Sequence, residues 1–125
     1  MSRESAVAAG AAYFDDGHYW RDLSRRVAIP TESQNPQRLE MLAVYLTGEM
    51  QPTFERLGYT CQILDNPKPD GGPFLLAQRI EAHDLPTVLT YGHGDVIRGQ
   101  DHAWREGLSP WKLTQDGDRI YGRGT

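Results

Sequence analysis

A single cysteine, Cys61, rules out any disulfide within these 125 residues. No apolar run approaches the roughly 18–20 residues that a membrane span needs, and mean hydropathy is −0.60. Basic residues are in the minority: 13 Lys and Arg face 17 Asp and Glu, for a net charge of −4. That balance excludes the broad basic face on which non-specific nucleic-acid binding depends. There is no Asn-x-Ser/Thr acceptor, no internal repeat and no low-complexity tract. These absences predict a cytoplasmic protein with neither nucleic acid nor membrane as partner. What is present, 38% hydrophobic and 24% charged residues, is the composition of a globular chain. The length suits one domain of ordinary size.

The stretch Ala6-Val7-Ala8-Ala9-Gly10-Ala11-Ala12 is apolar but lacks Leu and Phe, follows one Arg, and runs into Tyr13-Phe14-Asp15-Asp16. It reads as the start of a helix rather than a targeting segment. Helices are predicted over 3–57 and strands with a hairpin over 59–121. A break is expected near Asp15-Asp16-Gly17, after which Tyr19, Leu23 and Val27 recur at helical spacing. Ile29-Pro30 ends that helix, because the residue before proline disfavours helical backbone. Thr31-Glu32-Ser33-Gln34-Asn35-Pro36 then reads as a polar loop. Leu39, Leu42, Ala43, Leu46, Met50, Phe54 and Leu57 form the clearest helical stripe. Pro52 interrupts it and predicts a kink near Gly48 or two abutting helices, and Gly58 is its stop.

Beyond Gly58 the period changes. Tyr59 to Leu64 and Phe74 to Ile80 read as strands around a Pro- and Gly-rich loop. Thr87 to Tyr91, β-branched and apolar in the middle, reads as a third, buried central strand. Asp116-Gly117 is the expected two-residue turn of a hairpin over Lys112 to Tyr121. The fold class that follows is α/β with a parallel or mixed sheet. Cys61, in the first strand, is expected to be a small buried hydrophobe.

Chemistry concentrates in Tyr91-Gly92-His93-Gly94-Asp95-Val96. A histidine and a carboxylate lie one glycine apart at the C-terminal end of an apolar strand, where open α/β sheets bind ligands. Neutral imidazole is a good zinc ligand, and its other ring nitrogen usually donates to a carboxylate. Asp95 is placed to be that carboxylate, or to ligate metal itself. The remaining histidines, His18, His83 and His102, are expected at the surface. Trp104 and Trp111 are expected to anchor a loop, and Arg123 to hold a structural position or touch the site's rim. Asp116 and Asp118 belong to the turn, and Asp15 and Asp16 to a helix boundary.

Taken together these segments resemble the M20 family of dinuclear-zinc peptidases and deacylases. Leu23 to Ser33, with Ile29-Pro30-Thr31 at its centre, is similar to that family's N-terminal Ile-Pro-Ser/Thr element. Tyr91 to Val96 is similar to its first metal motif. Asp116-Gly117 and Tyr121-Gly122-Arg123-Gly124-Thr125 are similar to the run before its second. The resemblance implies that 1–125 is the N-terminal segment of an α/β/α zinc-peptidase-like catalytic domain with a mixed sheet, incomplete in this chain. It implies that His93 is a metal ligand and that Asp95 is a catalytic residue orienting it. Two zinc ions are implied for the complete enzyme, with cobalt or manganese admissible. The substrate implied is a small peptide or N-acyl amino acid whose amide is hydrolysed by metal-activated water, and a homodimer is possible for the complete protein. In the family an aspartate bridging both metals, a Glu-Glu pair supplying the general base, and further ligands follow the Gly-Arg-Gly-Thr run. The expectation is therefore that these 125 residues alone are inactive. The contrasting reading is a non-catalytic fragment, or a small-ligand or interaction module with an incomplete site.

Overall fold

The computed structural model describes residues 2–125, which are mixed α and β. They divide into two compact units, one made of Met1–Ala28 with Gln100–Thr125 and the other of Ile29–Gly99. Among the described residues no helix is long and apolar enough to cross a membrane.

In the first unit, α1 (Arg3–Asp15) starts at Ser2, whose hydroxyl accepts from the Ser5 N–H at 3.2 Å. The chain breaks where the Asp15-Asp16-Gly17 signal places it. Gly17 takes φ +72°, a left-handed conformation open to glycine without a Cβ clash, and α2 (His18–Val27) begins. The Tyr13 hydroxyl donates to Asp22 at 2.5 Å and ties the two helices. No residue of α1 is buried, and α2 buries Val27. Val27 and Leu113 converge on Gly122, where an added Cβ would stand 2.9 Å and 3.5 Å from them. Pro110 is fully buried, and its carbonyl accepts from the Arg123 N–H at 2.7 Å. The hairpin β3 (Thr114–Asp116) and β4 (Arg119–Tyr121) pairs Asp116 with Arg119. Its turn is therefore Gly117-Asp118, one residue later than the sequence suggests. Gly117, at φ +62°, supplies the positive φ that a type II′ turn needs at its first central position.

In the second unit, α3 (Glu40–Tyr45), a π-helical turn (Leu46–Met50) and α4 (Gln51–Arg56) run on end to end. Pro52 has no N–H to donate to the Gly48 carbonyl. The Gln51 N–H instead reaches back five residues to Leu46, and the kink expected near Gly48 is realised as this π turn. Gly58, at φ +83°, then closes a Schellman motif. Its N–H bonds to Glu55 at 2.9 Å and the Tyr59 N–H to Phe54 at 3.1 Å, with the two rings 5.2 Å apart. The hairpin of β1 (Thr60–Leu64) and β2 (Phe74–Gln78) packs Cys61, Ile63, Leu75 and Ala77 inward under α4. Cys61 is half-buried rather than buried, and this desolvation pushes its thiol up. The outer face leaves Phe74 and Leu76 about half exposed.

Two expectations do not hold. Both sheets are antiparallel pairs, and the one parallel link among the described residues is an isolated bridge between Glu32 and Val96. Thr87 to Tyr91 forms no strand and is not buried: Val88, Leu89 and Tyr91 are 83%, 92% and 90% exposed. β1 and β2 satisfy each other's inner edges, and no described segment lies alongside 87–91 to complete a ladder. Composition gave this segment strand character, but a strand forms only against a partner.

Candidate functional site

The His-x-Asp segment is held from behind by the loop after Pro30. The Val96 N–H donates to the Thr31 carbonyl at 2.9 Å, and the Thr31 hydroxyl donates to the Gly94 carbonyl at 2.7 Å. Thr31 and Glu32 are each only 3% exposed. Gly94 has no room for a side chain, because a Cβ would run into the Tyr45 ring.

On this backing stand the two residues singled out by the sequence. His93 Nδ1 lies 3.1 Å from Asp95 Oδ1 and 3.1 Å from the Asp95 carbonyl oxygen. Both partners are acceptors when the carboxylate is ionised, so Nδ1 carries the proton and donates. Nε2 then presents its lone pair, and it has no hydrogen-bond partner among the described residues. The other carboxylate oxygen, Asp95 Oδ2, accepts from the Ser33 hydroxyl at 2.7 Å. Each oxygen of Asp95 thus has one partner within this loop pair.

Glu32 anchors the loop. Its Oε1 accepts the Gly99 N–H, and its Oε2 accepts from Asn35 at 2.9 Å and pairs with Arg38 at 3.1 Å. Burial alone would push this carboxyl up. The Gly99 N–H, the Asn35 amide and the Arg38 and Arg98 charges outweigh it and hold Glu32 below the usual glutamate range.

No family model matches the chain, and a search of curated proteins finds no relative of it.

The remaining candidates take ordinary places. His18 stacks on Tyr13 at 5.8 Å and lies 2.7 Å from Arg21, while His83 sits in an exposed turn and His102 is exposed in a short 3-10 helix, Asp101–Ala103. The Trp111 indole N–H donates to Asp101 at 3.0 Å, fastening its loop. Arg123 lies 5.4 Å from the Trp104 ring and Arg105 5.2 Å from Tyr121, around an open pocket of about 280 Å³ that His93 and Asp95 do not line. Among the described residues no group of three or more His, Cys, Asp or Glu could hold a metal ion. The donor chemistry of His93 fits one position of a zinc site, and a catalytic zinc ordinarily takes about three protein ligands.

Ser33 and Glu32 are the site residues that sequence reading left in a polar loop. Glu32 lies between two prolines and six residues before Arg38, but nothing in that local pattern marks a buried carboxylate.

Proposed function

We propose that this chain supplies one metal-binding arm of a hydrolase of the dinuclear-zinc peptidase and deacylase type, acting on a peptide or N-acyl-amino-acid amide bond. The observation that carries the reading is the His93–Asp95 pair, with Nδ1 held at 3.1 Å and Nε2 left to act as a donor. In this reading His93 is a ligand, and Asp95 fixes its tautomer and raises its basicity. Bound zinc would supply Lewis acidity toward water and toward the amide carbonyl. The other ligands and the general base would come from outside these 125 residues, since one imidazole with its carboxylate is too few.

The finer fold belongs to the same proposal. It places the chain in an α/β/α zinc-peptidase-like domain with a larger mixed sheet. The half-exposed Phe74 and Leu76 on the outer face of the β1–β2 hairpin support a sheet face that further structure would cover.

The test is metal content and amide hydrolysis in the full-length protein. His93→Ala should lower both together. Asp95→Asn should lower activity by roughly 10- to 100-fold while much of the metal stays. If Asp95→Asn strips metal as completely as His93→Ala, the orienting role is wrong. If neither variant changes metal content, the metal reading itself is wrong.

A further inference from the structure

We propose that Ser33 is a positioning residue of this arm: its hydroxyl fixes the Asp95 carboxylate, which in turn holds His93 with Nε2 as the donor nitrogen. The inference rests on the metal-arm reading of His93.

Ser33 has one hydroxyl proton, and it goes to Asp95 Oδ2 at 2.7 Å, while Oδ1 faces His93 Nδ1 at 3.1 Å. A carboxylate bonded at one oxygen turns less freely about its Cβ–Cγ bond, which biases the other oxygen toward the imidazole. The side chains of Asp95 and His93 are 43% and 67% exposed, so water competes for both. An unsupported Asp–His contact in such a place would be loose.

Ser33 is also well founded for this task. Its two predecessors, Thr31 and Glu32, are buried, and each is tied to the segment 94–99. Thr31 bonds Gly94 and Val96, on either side of Asp95, and Glu32 accepts the Gly99 N–H. The backbone carrying the hydroxyl and the backbone carrying the carboxylate are thereby fixed to each other. The hydrogen bond spans 62 positions of sequence, so it is not a local turn contact.

The experiment is nitrogen NMR of the intact protein labelled at histidine, with the His93 ring assigned by its loss in His93→Gln, and zinc titrated into the same samples. Ser33→Ala should shift the His93 tautomer balance from Nδ1–H toward Nε2–H by about fivefold. It should also weaken zinc binding at His93 by roughly tenfold. Ser33→Thr, which keeps the hydroxyl at an exposed position, should restore both. Unchanged tautomer and affinity in Ser33→Ala, with zinc still reaching His93, overturns the inference alone. A Ser33→Thr protein that behaves like Ser33→Ala also overturns it. If zinc leaves the wild-type His93 signals unmoved in a protein that carries the remaining ligands, the metal-arm reading falls and the inference falls with it.

Discussion

Replacing Glu32 by alanine should destabilise the Ile29–Gly99 unit by about 3 kcal/mol. The carboxylate is 3% exposed and serves the Gly99 N–H, Asn35 and Arg38 at once. Charge-assisted hydrogen bonds of this kind are each worth about 1.5–3 kcal/mol net, less the cost of keeping the carboxylate out of water. The Arg38 side chain is 31% exposed and can rehydrate when its partner goes, which holds the total toward the low end for a broken buried pair. Glu32→Gln keeps the shape but offers one acceptor oxygen instead of two, and should cost about 2 kcal/mol. The alanine variant should melt roughly 12–24 °C lower. Amide exchange at Gly99 reads the effect inside the right unit, independent of how the other unit melts. The pH dependence has a definite sign. The folded carboxyl sits below its unfolded value of about 4.3. Its stabilisation is therefore full above that value and is lost as pH falls through the lower, folded one. The gap between wild type and Glu32→Gln should be constant around neutrality and close in acid. An alanine variant within about 0.5 kcal/mol of wild type, the range of ordinary surface changes, would refute this account of the loop.

Gly94→Ala should cost about 1–3 kcal/mol, since the new methyl must displace the Tyr45 ring, and chemical denaturation measures it. Leu89→Asp, at a position 92% exposed, should leave the melting of the isolated 125-residue chain within about 0.5 kcal/mol. Amides 87–91 should exchange rapidly, as expected of an exposed segment that pairs with no strand. Protection there would refute the description of 87–91 as an exposed, unpaired segment.

Local backbone chemistry was readable in the sequence. Gly17 divides the first two helices, Pro52 forces the π turn, and Gly58 closes the long helix. Each effect depends on one residue's own φ or missing N–H. The adjacency of His93 and Asp95 was readable for the same reason, because one intervening residue settles it. What the sequence could not show depends on distant partners. Thr87–Tyr91 has the residues of a strand and no neighbour to pair with. Glu32 is buried only because Gly99, Asn35 and Arg38 close around it, and Ser33 meets Asp95 across 62 positions. The turn register of the last hairpin slipped by one because Asp116-Gly117 and Gly117-Asp118 are both acceptable turn pairs.

The bond between Ser33 and Asp95 also bears on folding order. Closing a loop of about 62 residues costs roughly 3–4 kcal/mol by chain statistics before any contact repays it. The helices and the β1–β2 hairpin need only short-range contacts and should form first. The loop at Thr31–Ser33 can meet Gly94–Val96 only once the intervening chain has collapsed. His93 would then acquire its fixed orientation among the last events of folding. Early intermediates would carry a histidine with either nitrogen protonated, and metal offered to them would meet an imidazole not yet committed to one donor.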